Sequence, residues 1–171
     1  MGSKSTGIAD KLAEYAHDLK YDSIPIPVIE RTKTLFLDFL GVAFGGLRID
    51  STRPTLATLD ALQSSSGSST ILGQTKKFTP HLAALMNAML AHSMDFDDTH
   101  SGSIMHVGSP LFATLLALGE QKSVSGKEFL QAAVAGYDVA AKLGRAHGDS
   151  VHRRGFHPTA TTGIFACTVA G

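Results

Sequence analysis

Thr79-Pro80-His81-Leu82-Ala83-Ala84-Leu85-Met86-Asn87-Ala88-Met89-Leu90-Ala91-His92 decides the fold class. Leu82, Leu85, Met86, Met89 and Leu90 recur at three-to-four spacing, and the alanines between them favour helix over strand. Thr79 is a residue type able to cap, and Pro80 at the first helical position loses no needed N–H. The spacing predicts a helix from Pro80 that reaches Asp95 or beyond.

The same period extends in both directions. Downstream, Ser109-Pro110 repeats the start device before Leu111 to Glu120, and Ser125-Gly126-Lys127-Glu128 is a capping box opening Phe129 to Leu143. His157-Pro158 begins a last helix of small residues running to Gly171, with no Lys- or Arg-bearing final turn. We expect some of its packing neighbours to lie outside these 171 residues. Upstream, Ile8, Leu12, Tyr15, Ala16 and Leu19 form one stripe, predicting a helix from Gly7 to Lys20. Pro27 opens a longer, more apolar helix through Val28, Ile29, Leu35, Phe36, Phe39, Leu40 and Phe44 to Gly45-Gly46, expected to be central. A third runs from Ser51 or Thr52 to Leu62. The small-polar run from Ser64 to Ser69 is too short for an interdomain linker, and Thr70-Ile71-Leu72-Gly73 is the best candidate for an extended piece. The expected fold is all-α, in one domain over residues 1–171, without internal repeats.

Composition narrows the function classes. With 171 residues, 43% hydrophobic and 18% charged, the chain is long and apolar enough to bury a core. Fifteen Lys+Arg balance fifteen Asp+Glu, and the pI is near 7.1. No basic field therefore exists to attract nucleic acid or an anionic membrane. The single Cys167 cannot form an internal disulfide or a Cys-based zinc site, so an intracellular, cytoplasmic setting is expected. No apolar run reaches the roughly 20 residues of a bilayer span. Gly2 and Thr6 match a myristoylation pattern that is short and permissive.

His92-Ser93-Met94-Asp95-Phe96-Asp97-Asp98-Thr99-His100-Ser101-Gly102-Ser103-Ile104-Met105-His106 is the stretch richest in chemistry. Three carboxylates and three imidazoles supply proton donors and acceptors near neutral pH. On a helix continuing through Thr99, His92, Asp95 and Thr99 share a face and Asp97 points elsewhere. Asp97, Asp98 and His100 then read as a solvated helix end. Asp95, flanked by Met94 and Phe96, reads equally as a buried working carboxylate or as part of that end. Asp95-Phe96-Asp97-Asp98-Thr99 also fits the nucleophile loop of haloacid-dehalogenase-like phosphatases, but that loop must follow a buried strand. An aspartate-rich Mg²⁺ site of the isoprenoid-synthase kind needs a further Asp where Ser101 stands. A His/Asp zinc site is disfavoured because no two of His92, His100 and His106 stand at i,i+4.

The second focus is the basic loop from Arg145 to Pro158. His157 precedes a proline at a helix start, where it either caps, faces solvent or is aimed into a cleft. Arg153 and Arg154 are the candidate carboxylate binders, although loop arginines are commonly solvated.

Ala91-His92-Ser93-Met94-Asp95-Phe96-Asp97-Asp98-Thr99, His106-Val107-Gly108-Ser109-Pro110 and Gly155-Phe156-His157-Pro158-Thr159-Ala160 resemble the MmgE/PrpD family, as does Arg31 to Gly41. The family includes 2-methylcitrate dehydratase and cis-aconitate decarboxylase. The resemblance implies a partial helical-bundle domain of the MmgE/PrpD type, with the family's second α/β domain lacking here. It implies that Asp95, Thr99, His106 and His157 line the catalytic pocket, and that the site needs no cofactor or metal. Ser93, Arg153 and Arg154 are the expected substrate-binding residues. The implied substrate is a small di- or tricarboxylate deprotonated next to a carboxylate, with dehydration of 2-methylcitrate preferred over decarboxylation or epimerisation. A poised base and cationic stabilisation of an enolate-like charge are the parts such chemistry needs. The chain departs from the family at Val107-Gly108, where a proline and a small residue are usual. Family members are longer and supply an active-site lysine and a homodimer. These residues are thus expected to be a fragment holding half a site, inactive alone. The contrasting expectation is a non-catalytic helical module that binds a partner through its last helix.

Overall fold

The computed structural model describes residues 7–63 and 66–171. The Gly2/Thr6 pattern and Ser64-Ser65 of the small-polar loop lie outside the described residues. Eight helices appear among them: α1 (Ile8–Asp18), α2 (Ile26–Gly46), α3 (Thr52–Leu62), α4 (Pro80–His92), α5 (Gly108–Lys122), α6 (Gly126–His147), α7 (Ser150–Arg153) and α8 (Pro158–Ala170). A 3-10 turn, Tyr21–Ser23, separates α1 from α2, and two short strands, β1 (Ser69–Thr70) and β2 (Lys77–Phe78), pair antiparallel. The all-α expectation is met, with this ribbon as its one exception.

Local chemistry explains the sharpest boundaries. At α6, the Ser125 hydroxyl accepts the Glu128 N–H at 3.3 Å while the Glu128 carboxylate accepts the Ser125 N–H at 2.7 Å. At α4, Thr79 makes no side-chain cap. Pro80 at the first position carries that start instead, and the Thr79 N–H donates to the Gln63 side chain at 3.1 Å.

The central helix is α5, where Leu111, Phe112, Ala113, Leu115 and Ala117 are all buried. It packs on α4, whose Leu82, Ala83, Met86, Leu90 and Ala91 face it and α2. The expectation that α2 sits at the centre is corrected: its apolar residues are spread round the helix, so Phe39 and Val42 are buried while Leu37 and Phe44 stay exposed. Phe36 joins three helices, with ring centroids 5.3 Å from Phe112 of α5 and 4.9 Å from Phe129 of α6. Fully burying a ring of this kind contributes about 1.5–3 kcal/mol. The α2 and α4 backbones meet closely, since a Cβ at Gly46 would lie 2.1 Å from the Leu90 carbonyl oxygen.

The ribbon is fastened by buried polar groups that sequence periodicity does not reveal. Asn87 on α4 accepts the Leu72 N–H at 2.9 Å and donates to the Thr70 carbonyl at 2.8 Å. The Ser69 hydroxyl donates to the Ala117 carbonyl at 2.8 Å. Against the cost of desolvation, hydrogen bonds from Thr70 hold the Glu120 carboxyl below its ordinary pKa.

The connection between α4 and α5 positions the chemistry. The helix stops at His92, short of the expected Asp95; the Ser93 hydroxyl turns back to the Leu90 carbonyl at 2.9 Å, and Asp95 takes a left-handed conformation, φ +51°. Asp tolerates that region better than most residues. The loop then closes on itself, with the His100 N–H donating to the Met105 carbonyl at 2.8 Å and the Ser103 N–H to the His100 carbonyl at 3.0 Å. Met105 is buried, while Ile104 beside it has φ +52°, a conformation a β-branched side chain resists.

Two stability outcomes follow from these contacts. Asn87→Leu should lower unfolding free energy by about 2–4 kcal/mol in denaturant titrations, because the Leu72 N–H and Thr70 carbonyl lose their partner. Ile104→Asn should raise the melting temperature, since it relieves roughly 1 kcal/mol of left-handed strain at a side chain 41% exposed. A lower melting temperature would show that the Ile104 contacts outweigh the strain.

Candidate active site

Asp97 is the hub of the site, 6% exposed in the loop after α4. Its carboxylate accepts the Ser109 hydroxyl from the first turn of α5. Both its oxygens lie 3.1 Å from Nδ1 of His92, the last residue of α4. Oδ1 is also 3.1 Å from Nδ1 of His106. That second approach is close enough for an ion pair but off the line of a hydrogen bond, and the buried His106 Nδ1 has no hydrogen-bond partner.

A third imidazole arrives from the far end of the chain. His157, the residue before α8, stacks on His92 with centroids 5.6 Å apart and lies 6.4 Å from His106; His92 and His106 are 4.9 Å apart. The backbone N–H of His106 donates to the Thr159 hydroxyl at 2.9 Å, tying the start of α8 to the loop. Three segments thus bring three imidazoles over one buried carboxylate.

The neighbouring Asp98 locks the loop from behind. It accepts the Gly108 N–H at 2.8 Å and the Tyr137 hydroxyl at 3.1 Å, joining the loop to α5 and α6. A Cβ at Gly108 would sit 2.2 Å from the Asp98 oxygen, so glycine is required for that approach. Burial pushes the Asp98 carboxyl above its ordinary pKa, opposed by those two hydrogen bonds. Burial and the adjacent Asp98 raise the Tyr137 phenol.

Several placements differ from the helical extrapolation. Asp97, expected to point away as part of a solvated helix end, is turned inward because the helix ends at His92. Asp95 is at the rim, its side chain 80% exposed and Oδ1 3.5 Å from His106 Nε2. Thr99 donates to the Asp97 carbonyl at 3.4 Å and lines an adjoining cavity of about 360 Å³ with Arg31, Asp38, Asp97, Asp98 and Tyr137. Ser93 is occupied by the Leu90 carbonyl. Arg153 pairs with Asp149 at 2.6 Å, one turn earlier, and Arg154 is exposed without an ion pair among the described residues. Ser109 figures in the sequence only as a helix start, and His92 as one of the three imidazoles of the acidic stretch but not as one of the catalytic four. The signal that α4 ends near His92, which turns Asp97 back toward it, is Ser93, whose hydroxyl competes for backbone carbonyls at a helix end.

Asp95 to Thr99 follow a helix, which is the wrong context for the phosphatase nucleophile loop, and they are not helical, which removes the helix-borne Mg²⁺ motif. The spacing objection to a His/Asp metal site does not hold, because a loop and not a helix gathers the donors. One ligand atom each from His92, Asp95, Asp97 and His106 lies within 4.8 Å of the others.

Burial, reinforced by repulsion from His92 and His106, lowers the pKa of His157. A neutral imidazole at neutral pH is the consequence, beside imidazoles anchored to a carboxylate. Such an arrangement can take a proton at one ring and give one at another.

The chain matches the MmgE/PrpD N-terminal domain over residues 10–171. It is 30% identical to a cis-aconitate decarboxylase of Aspergillus terreus over 172 residues, covering 96% of this chain and 35% of that protein. It is 32% identical to the human cis-aconitate decarboxylase, covering 95% of this chain and 35% of that protein, and 30% identical to that of the mouse, covering 95% and 34%. The chain thus spans about a third of the length of these relatives. With a domain match over nearly all of its residues, the chain belongs to the MmgE/PrpD family.

Proposed function

We propose that this chain supplies one wall of a lyase active site that moves a proton at a carbon beside a carboxylate of a di- or tricarboxylic acid. The observation that supports this most is the convergence of His92, His106 and His157 over the buried Asp97. The remaining wall, including a cationic group to hold the substrate carboxylates, is assigned to segments beyond the third of the length represented here. Cis-aconitate is the first substrate to test, since the relatives are named for its decarboxylation, and 2-methylcitrate the second. On this reading the working protein is a cytoplasmic homodimer without a metal or organic cofactor.

In a dehydration, a base removes a proton next to a carboxylate and the resulting electron pair expels hydroxide. In a decarboxylation, loss of CO₂ leaves an electron pair on carbon that is delocalised into the conjugated carboxylate and then takes up a proton. His157 is assigned the proton transfer in either case. Its lowered pKa makes it a neutral base near pH 7 and, when protonated, a strong imidazolium acid. Asp97 orients His92 by hydrogen bonding to Nδ1, as a carboxylate orients the imidazole of a catalytic triad, and presents its carboxylate to His106 at 3.1 Å.

The 171 residues alone are expected to turn over neither acid beyond a trace. Extended to the length of the relatives, the protein is expected to turn over one of them, with kcat reduced about 10²–10⁴-fold by His157→Ala and by Asp97→Asn. Wild-type rates in both variants would remove the assignment.

The pH profile separates the two reactions. A dehydratase needs His157 neutral, so its rate falls as pH drops through a value below the ordinary imidazole range. A decarboxylase that uses His157 as acid loses rate as pH rises through that same value. His157→Ala should abolish the limb in either case.

A further inference from the structure

The geometry points to a second use of the cluster: Asp97, His92 and His106 form a site for a divalent transition-metal ion of the Zn²⁺ class, with Asp95 able to close it as a fourth ligand. This goes beyond the lyase reading, in which no metal takes part. Asp97 Oδ1 stands 3.1 Å from Nδ1 of His92 and 3.1 Å from Nδ1 of His106. Two ligands bonded to one Zn²⁺ at about 2.1 Å lie roughly 3.4 Å apart when tetrahedral. These pairs therefore have the separation of neighbours on one ion. The four-residue set spans up to 4.8 Å, so the outermost ligand must move inward by about an ångström. Asp95 approaches the other ring nitrogen, with Oδ1 3.5 Å from His106 Nε2, so it joins the ion only when its exposed side chain swings on the left-handed turn that carries it.

A second observation is independent of spacing. His106 Nδ1 is buried without a hydrogen-bond partner, although His92 and Ser109 are both bonded to the Asp97 carboxylate. A buried polar atom left unpaired is costly, and coordination would satisfy it. The Ser109 hydroxyl holds the second Asp97 oxygen, the outer-shell contact that fixes a ligating carboxylate. Two imidazoles and a carboxylate leave positions for water, a donor set that suits Zn²⁺ and Co²⁺ and offers little to the all-oxygen preference of Mg²⁺ or Ca²⁺.

Occupancy would draw Asp97, His92 and His106 onto the ion and away from the arrangement that faces His157, so the ion acts as an inhibitor of the proposed chemistry and not as its cofactor. The coordination must follow proton loss from any ring nitrogen that ligates, and binding therefore weakens at low pH.

The test is Co²⁺ and Zn²⁺ titration of the metal-free chain, following the visible absorption of Co²⁺ and its displacement by Zn²⁺. One ion per chain is expected. Affinity should fall more than 100-fold in His106→Ala and Asp97→Asn, about 10–100-fold in Ser109→Ala, and measurably in Asp95→Asn, while His17→Ala on α1 leaves it unchanged. Asp95→Asn alters an exposed side chain and so reports even if the buried variants unfold. In the unmodified chain, substoichiometric Co²⁺ should perturb the ring NMR signals of His92 and His106 before those of His17 or His81. Absence of a stoichiometric site, or affinity unaltered in Asp95→Asn and His106→Ala, would overturn the proposal. No substrate is present in these titrations, so the result stands apart from the lyase reading.

Discussion

A carboxylate removed from water must be surrounded by donors or it will not remain charged, and that requirement at Asp97 organises the structure around it. The Ser109 hydroxyl reaches it from the start of α5 and the His92 ring from the end of α4, while His106 approaches from the connecting loop. Meeting those positions forces α4 to end where it does and α5 to begin with its first turn against the loop. Asp98, bonded to Gly108 and Tyr137, secures the same loop to α6 from the other side. Adjacent carboxylates thus face opposite directions with different work: one holds imidazoles, the other holds helices.

Much of this architecture is legible in the sequence, for physical reasons that can be named. The start devices at Pro80, Ser125 and Pro158 act locally, so their helices begin where spacing and cap chemistry put them. The ribbon of β1 and β2 was only half visible, because its strands are two residues long and are held by Asn87, Ser69 and Glu120 through contacts far apart in sequence. The central role of α5 was hidden as well. Apolar content marks a helix as buried but does not reveal which neighbours cover each side, and α2 has an uncovered side among the described residues.

The site divides along the same line. The family resemblance points to Asp95, Thr99, His106 and His157 together, and the fold places the His106 and His157 rings in one cluster. Asp95 and Thr99 were aligned by extending helical geometry past its end, and the alignment disappeared once Ser93 bonded back to Leu90. Asp95 remains beside His106 at the rim, whereas Thr99 faces the Asp98 cavity. Asp97 escapes helical extrapolation because the face of a residue in a loop is set by tertiary contacts rather than by its spacing from neighbours. The left-handed turns at Asp95 and Ile104 belong to the same constraint, since they bend the loop enough to present Asp97 and His106 inward.

The central claim, that Asp97 gathers the imidazoles as an ionised acceptor, is most directly tested by nitrogen-resolved NMR of the His92 ring across neutral pH. A carboxylate only accepts, so Nδ1 facing both of its oxygens must carry a proton. The account predicts a proton on Nδ1 of His92 throughout, whether or not Nε2 is also protonated. A neutral ring with a bare Nδ1 and its proton on Nε2 would contradict it.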